Sequence, residues 1–308
     1  MVSQYLDRRA FIGGVAGAVG ASFLPNGVFA AQNSRLTKTI PSTGEAVPVI
    51  GMGTSRTFDV NSDPNAVNNS IAILNAFFDM GGTIIDSSPM YGSSESVLGK
   101  CLNSIDEPKD MYAATKVWTT GESQGKQQMS QSQDLWGVDQ FDLMAIHNFK
   151  DWQTHLKTLK AWKEQGKIRH IGITTSHGRF HSEMADAIVK QAEYDWVQFT
   201  YSIQERKAES RLLPMALEHG KAVMVNRPFG RGGLFSLVKG KALPDWAAEI
   251  DVQSWGQYFL KFVVSHPAVT CAIPATSKVK NMKDNMGANF GRLPDQKMRE
   301  EMIKYVGV

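Results

Sequence analysis

From Val49 onward, short apolar runs alternate with longer stretches in which apolar residues recur every three or four positions. The short runs are Val49–Gly53, Thr83–Asp86, Met111–Lys116, Asp142–His147, Ile168–Thr174, Trp196–Thr200, Ala222–Asn226 and Thr270–Pro274. Each is a brief apolar run bounded by glycine or polar residues, which predicts a buried strand. The clearest of the longer stretches, Asn65–Met80, Trp152–Gln165, Lys207–Glu218 and Val252–Ser265, read as helices. In the first, Val67, Ile71, Leu74 and Phe78 share one face, and Asn68, Asn69 and Asn75 point away from it. Gly166 and Gly220 stop helices just before the next strand. Upstream, Leu36–Ile40 and Ala46–Ile50 flank the turn Pro41–Glu45, so the segment from Arg35 to Pro48 reads as a hairpin.

Eight strand–helix units in about 250 residues predict an α/β chain folded as one (β/α)₈ TIM barrel. An open dinucleotide-binding sheet would carry G-x-G-x-x-G after its first strand. The chain has only the pairs Gly51/Gly53 and Gly230/Gly232, and Arg56 and Phe235 stand where the third glycine belongs. A dinucleotide, if bound, is held in another way.

The composition, 42% hydrophobic and 20% charged, is that of a globular chain. A net charge of +3, spread along the chain with no basic run interleaved with aromatics, argues against a nucleic-acid partner. Residues 1–30 read differently from the rest. Arg8-Arg9-Ala10-Phe11 precedes an uncharged stretch to Leu24, Pro25-Asn26-Gly27 breaks it, and Val28-Phe29-Ala30 ends on a small residue. This is the layout of a secretory signal, and the paired arginines resemble the twin-arginine (Tat) type. Asp7 stands where that motif usually has Ser or Thr. The apolar run falls short of the roughly 20 residues needed to span a bilayer, so no stable membrane anchor is expected. The expectation is a signal peptide over 1–30 read by the Tat machinery, a barrel over 31–308, and a periplasmic or exported product. A cytoplasmic location is the alternative if the signal is inefficient. Cys101 and Cys271 lack metal-ligand spacing and read as buried thiols, with a bridge between them as the alternative.

Strand ends carry the chemistry of such a barrel. The second strand ends at Asp86, with Tyr91 five residues on; the third ends at Lys116 and the fourth at His147. Adjacent strand ends bring these four side chains to one mouth. An ammonium beside a phenol lowers the phenol's pKa, a carboxylate holds the ammonium, and an imidazole N–H polarises a carbonyl. Together they make a general acid–base centre for interconverting a carbonyl and an alcohol.

In order, spacing and context, Asp86, Tyr91, Lys116 and His147 resemble the catalytic tetrad of the aldo-keto reductases. Four further segments resemble that family's motifs: Gly51-Met52-Gly53-Thr54, Gly166-Lys167-Ile168-Arg169-His170-Ile171-Gly172, Pro228-Phe229-Gly230-Arg231-Gly232 and Ile273-Pro274-Ala275-Thr276-Ser277-Lys278. The resemblance implies that the N-terminal hairpin closes the barrel floor and that an extended NADP(H), with NAD(H) as the alternative, lies over the strand ends. It puts Gly53, Thr54 and Asp86 at the cofactor, the carboxamide near Thr174, Thr175 and Gln198, and the diphosphate on Pro228, Phe229, Gly230, Arg231 and Gly232. The adenosine end would meet Ala275, Thr276, Ser277, Lys278, Asn281, Asp284 and Asn285. Departures cluster on this wall. Thr174-Thr175 replaces Ser-Asn, Asn226-Arg227 replaces a stacking tyrosine and its neighbour, and Ala275 and Asn281 stand where Lys and Arg are frequent. Trp118 and Asn148 are the substrate-side candidates. Leu234–Trp246 reads as a longer loop placed to cover the substrate.

Two other readings compete with a small-molecule carbonyl or alcohol oxidoreductase. One is a non-catalytic nucleotide-binding barrel acting as sensor or partner subunit. The other is a metal hydrolase or lyase using Asp86 and His147. His177 and His181, four apart, read as solvated loop histidines rather than ligands.

Overall fold

A computed structural model describes residues 34–105 and 110–308. The signal-peptide reading of residues 1–30 falls outside the described residues. A hairpin comes first, β1 (Thr37–Thr39) paired antiparallel with β2 (Ala46–Pro48). Eight parallel strands follow: β3 (Met52–Gly53), β4 (Ile84–Asp86), β5 (Tyr112–Val117), β6 (Phe141–His147), β7 (Ile168–Thr174), β8 (Trp196–Thr200), β9 (Ala222–Asn226) and β10 (Cys271–Ala272). Each pairs with its sequence neighbour, and a parallel bridge between Ile50 and Ala272 closes the ring. The expected (β/α)₈ barrel is therefore the fold.

The helices, in chain order, are α1 (Pro64–Asp79), α2 (Ser94–Leu102), α3 (Glu122–Trp136), α4 (Trp152–Glu164), α5 (His181–Lys190), α6 (Leu212–Glu218), α7 (Gly233–Leu237), α8 (Trp255–Val264), α9 (Val279–Gly287) and α10 (Gln296–Val306). Capping fixes several starts. Asp63 accepts from the amides of Asn65 and Ala66 ahead of α1, and Ser254 accepts from Gln257 N ahead of α8. The cap at Ser254 is why that helix begins three residues later than the apolar pattern suggested. The expected helix Lys207–Glu218 is two pieces, a 3₁₀ turn over Lys207–Ser210 and then α6. Pro214 explains the break: its ring would strike the Ser210 carbonyl in a continuous α-helix, but it is tolerated in a first turn. Leu234–Trp246 is likewise no plain loop, since α7 occupies its start and a 3₁₀ helix, Asp245–Ile250, takes in its end.

Alternation along the strands sorts side chains into two cores. Those facing the helices form the larger cluster, which includes Ile85, Ala113, Val117, Ile146 and Val197. Those facing the barrel axis form a second: Ile84, Tyr112, Ala114, Leu143, Trp196, Ala222, Met224, Cys271 and Ile273, joined by Ile40 and Val47 from the hairpin. The hairpin thus plugs the floor, and Lys38 Nζ anchors it to the carbonyls of His266 (2.7 Å) and Val269 (2.6 Å). Further along the same inward faces, the apolar side chains give way to Asp86, Lys116, His147, Thr174, Gln198 and Asn226. The barrel axis runs from an apolar floor to a polar mouth.

Candidate active site

Asp86 and Lys116, both buried, form the centre of that mouth. Lys116 Nζ lies 2.8 Å from each carboxylate oxygen of Asp86 and also donates to Ser87 O. Burial works against the Lys116 charge, but Asp86, Tyr91 and Glu95 outweigh it and hold the ammonium's pKa above its usual value. Asp86 is fixed from a second side, because Gln198 Nε2 donates to its Oδ1 at 3.1 Å. Its backbone carbonyl takes the amide and hydroxyl of Thr54 at 3.1 and 3.0 Å.

Tyr91 follows β4 in a turn closed by Tyr91 N to Ser88 O, just before α2. Lys116 Nζ lies 5.3 Å from its ring centroid, and the His147 ring meets it edge-on at 6.0 Å. Burial raises the Tyr91 pKa, and the opposing pull of Lys116 does not overcome it. Here the structure corrects the sequence argument: lysine does favour the phenolate, but burial wins, and the phenol holds its proton at neutral pH. Burial and the Lys116 charge push His147 down to about 3, so its imidazole is neutral. Its Nδ1 is 3.1 Å from Ser88 Oγ, which leaves Nε2 for a ligand.

These groups open on a cavity of about 1090 Å³. Asp86, Tyr91 and His147 line it, whereas Lys116 sits behind Asp86 and off the wall. Trp118 and Asn148 line the same cavity. Trp118 is 37% exposed, with Lys150 Nζ 5.1 Å from its ring, so it stands at the rim rather than deep in the cavity. Opposite, the wall includes Gly53, Thr54, Thr174, Thr175, Gln198, Asn226, Arg227, Pro228, Phe229, Arg231, Gly232, Ala275, Thr276, Asn281, Asp284 and Asn285. Gly230, Ser277 and Lys278 are next to the wall in sequence but do not line it.

That wall holds polar atoms waiting for a partner. Thr174 Oγ1, Arg227 Nε and Asn285 Nδ2 are buried without a hydrogen bond, and all three residues face the cavity. Buried polar groups seldom stay unpaired; these three share one cavity wall, and their chemistry suits the amide and phosphate groups of a dinucleotide. Other expected contacts are already engaged. Thr175 Oγ1 donates to Arg179 O at 2.8 Å, and the Asp284 carboxylate accepts from Ser254 Oγ (2.7 Å) and Gln257 Nε2 (3.0 Å). Asn226 belongs to a chain: Thr200 Oγ1 donates to its Oδ1 at 2.8 Å, and its Nδ2 donates to Thr175 O at 2.8 Å. Gly53 is required by packing, since a Cβ there would lie 2.9 Å from Ile273 O across the seam of the barrel.

Sequence reasoning missed the basic rim. Arg56, His177 and Arg179 line the same cavity as Arg227 and Arg231. Burial and the three neighbouring arginines together hold the His177 pKa down. It also missed Glu95, a buried carboxylate on α2 behind the Lys116 strand. A charged residue in a helix that otherwise buries Val97, Leu98 and Cys101 was the available clue. His177 lies in a turn and His181 opens α5, so they do not share a helix face. Among the described residues no group of His, Cys, Asp and Glu is arranged to hold a metal. Cys101 and Cys271 are both buried and free. No helix among the described residues is long and apolar enough to cross a membrane.

Known proteins agree with this architecture. The chain is 25% identical over 258 residues to the methylglyoxal reductase YeaE of Escherichia coli, covering 80% of this chain and 88% of that protein. It is 26% identical over 265 residues to the aldo-keto reductase str7 of Strobilurus tenacellus, covering 73% and 78%. Among solved structures, an aldo-keto reductase from Klebsiella pneumoniae in complex with NADPH superposes with a TM-score of 0.73 at 22% identity, covering 88% of this chain and 95% of that one. The holo form of AKR11C1 from Bacillus halodurans gives 0.71 at 19%, covering 89% and 96%. The Aldo/keto reductase family model matches residues 49–303, the whole barrel from its first strand to its last helix, and the chain belongs to that family.

Proposed function

We propose that the chain is an NAD(P)H-dependent oxidoreductase that interconverts a carbonyl and an alcohol, with Tyr91 as the general acid and base. Family membership supports the reaction class. The observation that carries the assignment of roles is the buried Lys116–Asp86 pair, with Tyr91 against the ammonium and a neutral His147 on the cavity wall.

The residues that would hold the cofactor are the three with an unpartnered buried polar atom on the far wall, joined by Arg231. Thr174 suits the carboxamide, Arg227 and Arg231 the diphosphate, and Asn285 the adenine. NADP(H) is the preferred form, with NAD(H) the alternative because Ala275 and Asn281 offer a 2′-phosphate no charge. When bound, the reduced nicotinamide supplies the hydride that a carbonyl carbon accepts. The rest is work for the chain. His147 Nε2 orients the carbonyl oxygen, and Tyr91 gives that oxygen its proton. The Lys116 ammonium stabilises the phenolate left behind, and Asp86 keeps the ammonium in place. Gln198 holds Asp86 at the correct angle.

The test is turnover of NADPH with a panel of aldehydes and ketones, methylglyoxal included because one relative is named for it. Activity in the native chain and its loss in Tyr91→Phe is the expected result. Equal activity in both sinks the assignment, and tight nucleotide binding without turnover of any substrate favours a sensor role.

The twin arginines Arg8 and Arg9, with Phe11, support export of the folded protein through the Tat route. A cofactor acquired in the cytoplasm would then travel inside the barrel. Cell fractionation of the native chain and of Arg8→Lys/Arg9→Lys tests this; an identical distribution of the two rules it out.

A further inference from the structure

The buried carboxylate of Glu95 touches neither the cavity nor any group of the acid–base centre by a hydrogen bond, yet it ties its own helix, α2, to two other elements. Its Oε1 accepts from Thr115 Oγ1 at 2.5 Å and from Trp136 Nε1 at 3.1 Å, and its Oε2 accepts from Ser132 Oγ at 2.9 Å. Thr115 is on β5, and Ser132 and Trp136 are on α3.

The placement of these partners is what gives Glu95 a role. Thr115 precedes Lys116, and alternation along the strand sends Thr115 out toward the helices and Lys116 in toward the barrel axis. On the other side, Ser94 N donates to Tyr91 O at 3.1 Å, so the first residue of α2 holds the backbone of Tyr91. Glu95 comes next. One side chain therefore locks the start of α2, which holds the Tyr91 turn, to the strand that carries Lys116. A simpler core would fill this space with an apolar residue, because a buried carboxylate is costly to desolvate.

From this geometry we propose that Glu95 is a positioning residue for the proton-transfer step, setting the separation of the Tyr91 hydroxyl and the Lys116 ammonium. This rests on the assignment of Tyr91 as general acid. Proton transfer depends on sub-ångström placement, whereas the binding of substrate and nucleotide depends mostly on the other walls. Loosening Glu95 should therefore act on kcat and leave KM nearly alone.

The experiment compares the native chain with Glu95→Ala, Glu95→Gln, Thr115→Val and Tyr91→Phe, measuring kcat and KM for a turned-over carbonyl and the Kd of NADPH. In Glu95→Ala, kcat should fall about tenfold or more, with KM and nucleotide affinity within about twofold of the native values. Glu95→Gln keeps an acceptor oxygen for Thr115 and Trp136, and the Ser132 hydroxyl can turn to accept from the new amide, so most of kcat should return. Thr115→Val, which removes one bond and keeps the shape, should fall between. If Glu95→Ala does not fold, Thr115→Val decides alone: a lower kcat at unchanged KM supports the role, and an unchanged kcat overturns it. Equal losses in Glu95→Ala and Glu95→Gln, or a KM that rises in step with the loss of kcat, also overturn it. An active Tyr91→Phe would refute the underlying acid assignment, whereas an inactive Tyr91→Phe beside a fully active Glu95→Ala would refute the role of Glu95 alone.

Discussion

The two walls of the cavity are built on different physical terms. On the β4–β6 side, the polar groups satisfy one another: Lys116 bonds both oxygens of Asp86, Gln198 braces Asp86, and Ser88 holds His147. On the β7–β10 side, Thr174, Arg227 and Asn285 each keep a buried polar atom without a partner. The charges of the first wall are paired within the protein, and the second keeps polar atoms open to a ligand. Preorganised charge serves a chemical step, because reorganisation at the moment of reaction adds to the barrier. Unpaired donors serve binding, because a ligand that satisfies them gains the bonds without first breaking others.

Removing a group from the finished wall should have the largest effect. Tyr91→Phe takes away only the transferable proton and is expected to lower kcat by about 10²–10⁴-fold, with NADPH affinity, read by fluorescence titration, unchanged. Lys116→Met leaves the Asp86 carboxylate buried without its counter-ion. Activity should vanish, and the unfolding free energy in urea should drop by about 3–5 kcal/mol. A Lys116→Met variant as stable as the native chain would mean that this wall is not self-satisfied.

The third expectation concerns pH. His147 is held at about 3 by burial and by the Lys116 charge, whereas an unfolded imidazole titrates near about 6.5. Between those values the unfolded chain binds a proton that the folded chain refuses. The full stability is present above about pH 6.5 and is lost as pH falls toward 3. His266, held at about 4 by burial and by the nearby Arg299 charge, adds to the same slope. Urea midpoints from pH 7 to 4 should therefore decline, and less steeply in His147→Gln. An equal slope in the two would remove His147 from this account.

The smallest effect is on the unfinished wall. Asn281→Arg adds a charge where a 2′-phosphate would lie, and the ratio of kcat/KM for NADPH over NADH should rise about tenfold, the worth of one charge-assisted bond. No change in that ratio would place the adenosine end elsewhere.

What the sequence made legible follows the same division. Strands β7, β8 and β9 match their predicted limits to the residue: each begins on a buried apolar side chain and ends on a polar one, Thr174, Thr200 or Asn226. Strands β3 and β10 are shorter than their apolar runs, since Gly51 and Gly53 continue the bonding to Ala272 and Pro274 as isolated links rather than ladder. Asp86, Tyr91, Lys116 and His147 were readable because each stands at or just past a strand end and their chemistry is mutual. Glu95 was not, because its three partners meet only once α2, α3 and β5 are packed. Arg56 and Arg179 lie in loops whose path over the mouth has no periodic pattern. The direction of the Tyr91 shift was misread for a related reason: sequence supplies the neighbouring charge but not the depth of burial that opposes it.

The seam of the ring has a consequence of its own. β3 and β10 are two residues each, the shortest links in the barrel, and Gly53 lacks a side chain so that they can meet. Thr54 and Ala275, on opposite sides of that seam, both line the cavity. A dinucleotide lying across them would clasp the joint of the hoop with the shortest strands. Occupancy there would then set how long the protein resists proteases and amide exchange as well as whether it can react.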